Sequence, residues 1–103
     1  MFVTETWISN VGKMRAMVQP MRFKIIQTLR AAGRPMYIEE IAERIEEERK
    51  YVAYHLGILR GKSLAKMERG RTLYPLPIHL RNVSYHELTP EVDRIFQWFS
   101  QII

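Results

Sequence analysis

The sequence predicts a mainly α-helical domain with a small β-hairpin. Apolar residues recur at the helical spacing of three and four over most of the chain, and two short apolar runs flank Arg69 and Gly70. With 103 residues, of which 47% are hydrophobic, the chain is able to bury one modest core. We therefore expect a single domain over residues 1–103.

The composition excludes several classes of protein. No run reaches the roughly 18 apolar residues of a membrane-spanning helix, and residues 1–5 lack the basic start of a signal peptide. The sequence has no cysteine, which removes disulfides, thiolate metal sites and a cysteine nucleophile. We therefore expect a cytoplasmic protein without a cofactor.

Two helices are predicted before Gly33. Four apolar side chains recur at intervals of four, three and four residues and predict a terminal helix over residues 5–18: Trp7, Val11, Met14 and Val18. Pro20 suits the first position of a second helix, because its missing N–H is not needed there. Gly33 readily adopts the left-handed conformation that ends a helix, so this helix is expected over roughly residues 20–32.

Residues 38–59 carry an apolar stripe that is compatible with two arrangements. The stripe consists of Ile38, Ile41, Ala42, Ile45, Val52, Leu56 and Leu59. Because no Gly or Pro interrupts it, one unbroken helix is an alternative. We predict instead a turn at Glu46–Glu48, since one helix would place Arg49 in a buried slot, where an unpaired charge is costly.

The segment after this stripe predicts a hairpin. Residues 64–67 and 72–76 flank Arg69 and Gly70, which is typical of two strands joined by a tight turn. A helix, a turn, a second helix and a hairpin in this order predict a winged helix-turn-helix with its core over about residues 18–76.

The C-terminal part predicts a linker and a last helix. Residues 77–88 show little pattern and are expected to be irregular. Thr89 is the expected N-cap and Pro90 the first helical residue of a terminal helix over residues 90–103.

Charge is segregated along the chain. Residues 39–48 hold six Glu and one Arg, a net charge of −5, whereas residues 49–71 hold seven Lys or Arg and one Glu, a net charge of +6. A polyanion is the natural partner of such a basic segment, because binding to phosphates releases counterions. An ordinary solvated charged face remains the alternative.

The second helix of the pair presents a face suited to a DNA groove. If the apolar stripe is buried, the residues that turn outward are Arg49, Lys50, Ala53, Tyr54 and Gly57. The two cations are expected to donate to guanine, Ala53 to contact a thymine methyl group and Tyr54 to reach a phosphate or a base.

Basic residues of the hairpin are expected to support this contact. Arg69 and Arg71 flank the turn glycine and are predicted to grip phosphates, adding affinity more than specificity. Lys62 and Lys66 are included as weaker candidates. His55 lies on the inward side and is assigned a structural role.

Four stretches resemble the ArsR type of winged-helix transcriptional repressor, in the usual order and spacing. They are VQPMRFKIIQTL, IEEIAERI, YVAYHLGILRGKSLA and GRTLYPL, within about residues 18–76. The resemblance implies a homodimer that pairs through its first and last helices and binds operator DNA. The chain departs from the family pattern at Tyr37, Glu47 and Ser63, and it lacks the cysteines of metal-sensing members. The resemblance therefore names no effector.

The terminal helices are expected to form the dimer interface. The predicted interface residues are Trp7, Val11, Met14, Ile95, Phe96, Phe99 and Ile102. Together these side chains exceed the apolar surface that a small monomer usually exposes. Packing of the two helices on each other within one chain is the alternative.

No catalytic or metal-binding pattern is present. The sequence lacks a phosphate loop, a nucleophile elbow and a supported Ser/His/acid arrangement, so we expect no enzyme. His79, His86, Glu87, Glu91 and Asp93 match no helical ligand spacing, so we expect no metal site.

The function expected is sequence-specific binding of double-stranded DNA by a homodimeric transcriptional regulator, with repression as the expected direction. The alternative is a winged-helix interaction module that docks a basic protein through its acidic residues 39–48. RNA binding is a weaker option, since the sequence indicates no sheet with exposed aromatic residues.

Overall fold

A computed structural model describes residues 4–68 and 84–103 of the chain. In these ranges the elements are α1 Glu5–Val18, α2 Pro20–Ala32, β1 Met36–Tyr37, α3 Ile38–Ile45, α4 Arg49–Gly61, β2 Ala65–Glu68, β3 Tyr85–Leu88 and α5 Glu91–Ile102. The mainly helical class and the bounds predicted for α1 and α2 are confirmed. No helix in the described ranges is long and apolar enough to cross a lipid bilayer.

Local capping explains where the first two helices begin and end. The side chain of Thr4 accepts a hydrogen bond from the Trp7 N–H at 3.1 Å and so caps α1. The Gln19 side chain accepts from the Arg22 N–H at 2.9 Å, and Pro20 occupies the first turn of α2. Gly33 ends α2 in the left-handed conformation at φ 64°.

A turn separates α3 from α4, as predicted. Glu46 adopts the left-handed conformation at φ 58°, and the N–H of Glu47 donates to the Ala42 carbonyl at 3.0 Å. These contacts end α3 without a glycine, and α4 begins at Arg49. The alternative of one unbroken helix is therefore wrong. Tyr37 occupies the N-cap position of α3 and makes no side-chain capping bond.

The core is centred on α2, α3 and α4, and residues of α1 and α5 extend it. Val52, Leu56 and Leu59 of α4 are each 0% exposed. They share a buried cluster with Ile25 of α2 and Ile41 of α3, which are also fully buried. Each fully buried aliphatic side chain of this size contributes roughly 1.5–3 kcal/mol, so this packing fixes how α4 is rotated about its axis.

The last residues of the predicted irregular linker, 85–88, form a strand of a three-stranded sheet. β3 lies between β1 and β2 and pairs antiparallel with both, with Tyr37 opposite Tyr85 and Met67 opposite His86. Residues 85–88 are therefore the central strand and not irregular structure. The predicted turn at residues 69–70 and the predicted strand at 72–76 lie outside the described residues.

The start of α5 also differs from the prediction. Pro90, and not Thr89, occupies the N-cap position, and no side chain caps the helix. The Thr89 hydroxyl instead donates to the Ser63 carbonyl at 2.6 Å, while its N–H donates to the Leu64 carbonyl at 3.0 Å. Thr89 thus ties the end of β3 to the segment that follows α4.

The terminal helices α1 and α5 pack on each other within the subunit. The Trp7 and Trp98 rings meet edge to face with centroids 5.1 Å apart. Glu91 accepts hydrogen bonds from Lys13, at 3.0 Å, and from Arg94, which also donates to the buried Asn10 at 2.8 Å. The intramolecular alternative is therefore correct for part of this surface.

This packing removes two residues from the predicted dimer interface. Met14 is 8% exposed and Ile95 is 0% exposed, and both belong to the subunit's own core. The prediction that they contact a partner is wrong, because the helices close over them within one chain.

Ser63 and Gly33 both have a positive φ, and we expect opposite changes in stability when glycine is introduced at one and removed at the other. Ser63 is exposed and left-handed at φ 59°, and Gly33 has no atom within 4 Å of an added Cβ. Ser63→Gly should raise the free energy of unfolding by about 0.5 kcal/mol, because relief of roughly 1–2 kcal/mol of strain exceeds the entropy lost to a freer unfolded chain. Gly33→Ala should lower the free energy of unfolding by about 1 kcal/mol, because a residue with a Cβ is strained in the left-handed conformation of Gly33.

Urea unfolding of the two variants beside the parent measures both changes. An unchanged slope with a shifted midpoint attributes the effect to stability. A lower midpoint for Ser63→Gly would contradict the strain assigned to this residue.

Candidate nucleic-acid interface

The outer face of α4 carries the four residues predicted to contact bases. Arg49 and Lys50 have side chains 64% and 69% exposed, and Tyr54 is 64% exposed. Ala53 is also exposed. They lie outside because the opposite side of the helix faces the core, and successive turns of the helix bring them onto one surface.

Each cation on this face has a carboxylate neighbour, but the two pairs differ. Arg49 Nε donates to Glu39 Oε1 at 3.0 Å, and the Glu39 side chain is only 35% exposed. Lys50 Nζ lies 3.5 Å from Glu48 Oε2, where both side chains are more than two-thirds exposed, and it also lies 5.1 Å from the Tyr51 ring centroid. Exposed pairs of the second kind contribute only about 0–1 kcal/mol, so Lys50 remains available to a phosphate or a base.

A short chain of contacts supports Tyr54 from behind. Its ring meets the His55 ring edge to face at 5.0 Å, and His55 Nδ1 lies 3.1 Å from Arg22 NH1. Arg22 Nε donates to the Ala16 carbonyl at 2.6 Å. Partial burial and the Arg22 charge lower the pKa of His55. A neutral ring accepts the Arg22 hydrogen bond, which agrees with the structural role predicted for this histidine.

The other predicted basic residues do not share this face equally. Lys62 follows α4, and its amine lies 3.8 Å from where a Cβ on Gly12 would stand, so the side chain lies along α1. Lys66 projects from β2 and pairs with Glu87 of β3 at 3.1 Å. Arg69 and Arg71 lie outside the described residues.

His86 is the buried titratable group next to this surface. It is 4% exposed on β3, with Nδ1 3.5 Å from Arg60 NH1. Burial and the Arg60 charge lower the pKa of His86 to about 4, although the Glu39 carboxylate acts in the opposite direction. The ring is therefore neutral at neutral pH. Among the described residues, no group of three or more His, Cys, Asp or Glu is placed to hold a metal ion.

Two residues of this region escaped the sequence analysis. Glu39 contacts the α4 face and Arg22 its support, but the charge pattern counted Glu39 only as part of the acidic segment 39–48, and Arg22 lies outside both charged segments. One signal was present: Glu39 and Arg49 stand in the first turns of the two consecutive helices. Their approach depends on the angle between those helices, which spacing alone does not specify.

An apolar surface remains uncovered where α1 and α5 meet. Of the five predicted interface residues outside the core, Val11, Phe99 and Ile102 are 36%, 37% and 44% exposed. Trp7 and Phe96 are half-buried. Three further apolar residues of α1 and of the C-terminal end are exposed: Ile8, Val18 and Ile103.

Comparison with solved structures identifies the fold. The homodimeric winged helix-turn-helix DNA-binding domain Mb0332 from Mycobacterium bovis, a possible ArsR-family transcriptional regulator, aligns with a TM-score of 0.67 at 16% identity, over 99% of this chain and 85% of that chain. HlyU from Vibrio cholerae aligns with a TM-score of 0.67 at 18% identity, over 95% of each chain. YusO from Bacillus subtilis aligns with a TM-score of 0.63 at 24% identity, over 87% of this chain and 59% of YusO.

These identities are low, so the likeness shows the fold, which is a winged helix-turn-helix. The predicted fold class is confirmed. The sequence matches no protein-family model and no curated protein.

The buried His86 predicts a loss of stability in mild acid. Its pKa is about 4 in the folded chain, whereas the ordinary pKa of a histidine, as in an unfolded chain, is 6.5. Between these values the unfolded state binds more protons, so acid favours unfolding. The free energy of unfolding should therefore fall by up to about 3 kcal/mol from this group as the pH drops from 7 to 4.

Urea unfolding at pH 7 and at pH 4.5 measures this loss. His86→Asn is the control, since its amide oxygen is able to accept from Arg60 but does not titrate. The difference between the two pH values should shrink in this variant. An equal difference in parent and variant would show that other groups carry the acid sensitivity.

Proposed function

We propose that this chain is a homodimeric transcriptional regulator that binds double-stranded DNA by sequence and acts in the cytoplasm. The observation that carries the proposal is the outer face of α4, where two exposed cations and an exposed tyrosine surround a small alanine on a helix separate from α3. Such a face fits the major groove, which admits one α-helix. The resemblance to ArsR repressors makes repression the expected direction.

Each residue of this face has a distinct expected role. Arg49 and Lys50 stand in the first turn of α4 and donate to guanine O6 and N7 or to a nearby phosphate. Ala53 contacts a thymine methyl group. Tyr54 reaches a phosphate or a base edge. Gly57, one turn further along, lets the helix approach the groove closely.

Basic residues beyond α4 supply sequence-independent affinity in this proposal. Arg69 and Arg71 bind phosphates beside the groove that α4 occupies. Lys62 and Lys66 contribute less, because the structure places one along α1 and pairs the other with Glu87. Contacts to phosphate orient a protein on DNA but carry little sequence information.

A second copy of the chain is the proposed cover for the apolar surface of α1 and α5. The residues proposed for the interface are Trp7, Val11, Phe96, Phe99 and Ile102, which remain at least partly exposed in the subunit. A two-fold axis there presents two α4 helices to successive half-sites of a palindromic operator. The homodimeric state of the Mycobacterium bovis domain supports this arrangement.

The alternative function, docking of a basic protein through residues 39–48, is less well supported, because several of these glutamates already form ion pairs within the chain. Three of the six glutamates in residues 39–48 already pair within the chain, because Glu39 contacts Arg49, Glu40 contacts Arg34 and Glu48 contacts Lys50. Such pairs reduce the negative field that a basic partner would meet. Salt-dependent DNA binding distinguishes the two functions.

Binding to a duplex selected from a random pool should be specific and strongly dependent on salt. If the dimer neutralises about six to eight phosphates, the log–log slope of affinity against salt is roughly −5 to −7. Lys50→Gln should weaken binding to the selected duplex by about tenfold, because one base or phosphate contact is lost. Fluorescence anisotropy at several salt concentrations measures both quantities.

Arg30→Gln is the control, since it removes the same charge beside Phe96 and Asp93, away from α4. It should change affinity by less than about threefold. Weak binding without a preferred sequence would support the interaction module instead. Equal effects of the two variants would remove Lys50 from the contact.

The dimer should depend on the exposed apolar residues of α1 and α5. The parent is expected to sediment at twice the subunit mass of 12.3 kDa. Phe99→Lys should yield a monomer, because a desolvated, unpaired charge at an apolar interface costs several kcal/mol. Tyr51→Lys is the control, since Tyr51 is a comparably exposed apolar residue, at 47%, on a different helix. A monomeric parent at high micromolar concentration would refute the proposed assembly.

A further inference from the structure

Glu39 contacts the exposed outer face of α4 through Arg49. It stands in the first turn of α3, where a carboxylate is favoured by the positive end of the helix. Its Oε1 accepts from Arg49 Nε, whereas its Oε2 is buried and has no hydrogen-bond partner among the described residues. A half-buried carboxylate with one unsatisfied oxygen is costly to keep, which argues for a role other than stability.

We infer that Glu39 is a positioning residue that orients Arg49 for reading a base pair. This inference rests on the proposed DNA-binding function and deepens it, since it names a specificity-determining residue outside α4. Glu39 itself does not contact DNA in this inference. It holds the arginine so that the terminal groups of its guanidinium point away from the protein.

The geometry of the contact indicates that Glu39 orients the Arg49 guanidinium and does not block it from binding a base. The hydrogen bond uses Nε, at 3.0 Å, and the terminal nitrogens of Arg49 make no hydrogen bond among the described residues. Those terminal nitrogens are the donors available for a two-point contact with guanine. A masking carboxylate would instead occupy them with a two-point contact of its own.

The two partners also differ in how firmly they are held. The Arg49 side chain is 64% exposed, while the Glu39 side chain is 35% exposed and close enough to buried His86 to affect its pKa. The carboxylate is therefore the fixed member of the pair and the guanidinium the member that it orders. Ordering a long side chain before binding removes part of the entropy loss that otherwise opposes complex formation.

The neighbouring Glu40 offers a matched control. It lies in the same first turn and carries the same charge, but it contacts Arg34 at 2.9 Å and not Arg49. Removing either carboxylate changes the net charge near the DNA equally. Any difference between variants at the two positions therefore reports the Arg49 contact and not the general electrostatic field.

The experiment compares Glu39→Leu and Glu39→Gln with Glu40→Leu and Glu40→Gln. All four should fold, because the arginine that loses its carboxylate partner, Arg49 or Arg34, is itself partly exposed to solvent. Glu39→Leu should reduce discrimination at one base pair of the selected duplex by about tenfold, and Glu39→Gln by less, since its amide oxygen still accepts a hydrogen bond. The Glu40 variants should keep the discrimination of the parent.

Two further measurements make the outcome decisive. Added to Arg49→Ala, Glu39→Leu should cause no additional loss of discrimination, because the two residues act as a unit. In the free protein, the NMR signal of the Arg49 Nε–H should lose its protection from solvent exchange in Glu39→Leu and keep it in Glu40→Leu.

Retained discrimination in Glu39→Leu, together with a loss in Arg49→Ala, would overturn this inference and leave the proposed function standing. Tighter binding in Glu39→Leu than in Glu40→Leu, with unchanged base preference, would show that Glu39 masks Arg49 and would also overturn it. A parent that prefers no duplex sequence would overturn both this inference and the proposed function.

Discussion

The burial of one side of α4 is the constraint on which the rest of the structure depends. Val52, Leu56 and Leu59 are completely buried among residues of α2 and α3. Since a helix has a fixed period, burying these three residues also fixes which residues turn toward solvent. The exposed cations and Tyr54 are therefore a consequence of core packing. A rotation of α4 would expose the apolar stripe and carry a large free-energy cost.

The same packing requires that the chain reverse direction between α3 and α4. An uninterrupted helix would separate its two apolar segments along one axis and prevent them from meeting around a common core. Glu46 allows the reversal by adopting a left-handed conformation, which for a residue with a Cβ is somewhat strained. The neighbouring side chains of Glu47 and Glu48 are at least partly exposed to solvent. The carboxylates of Glu39 and Glu48 pair with Arg49 and Lys50, the cations that begin α4.

Polar contacts tie the outer elements to this centre. Arg22 bonds to the Ala16 carbonyl of α1 and to His55 of α4, so one side chain joins the terminal helix to the back of the candidate recognition surface. Thr89 ties β3 to the segment after α4. The position of α4 thus depends on α1 and on the sheet as well as on its own buried residues.

Local chemistry made several features predictable from the sequence. Helical periodicity, Pro20 and Gly33 were sufficient for the bounds of α1 and α2, because these signals act within a few residues. The outward face of α4 followed from its apolar stripe in the same way. The turn at Glu46–Glu48 followed from the cost of burying a charge.

Other features were decided only by tertiary structure. Tyr85–Leu88 carries a weak local signal and becomes a strand because it pairs with both β1 and β2, which lie far away along the chain. Met14 and Ile95 are apolar whether they face a core or a partner, so only the packing of α1 on α5 assigns them to the core. The sequence by itself determined the helices and the outer face of α4, because short-range periodicity and capping specify them. Tertiary structure decided the central strand and the Glu39–Arg49 contact, because these depend on the relative placement of distant segments.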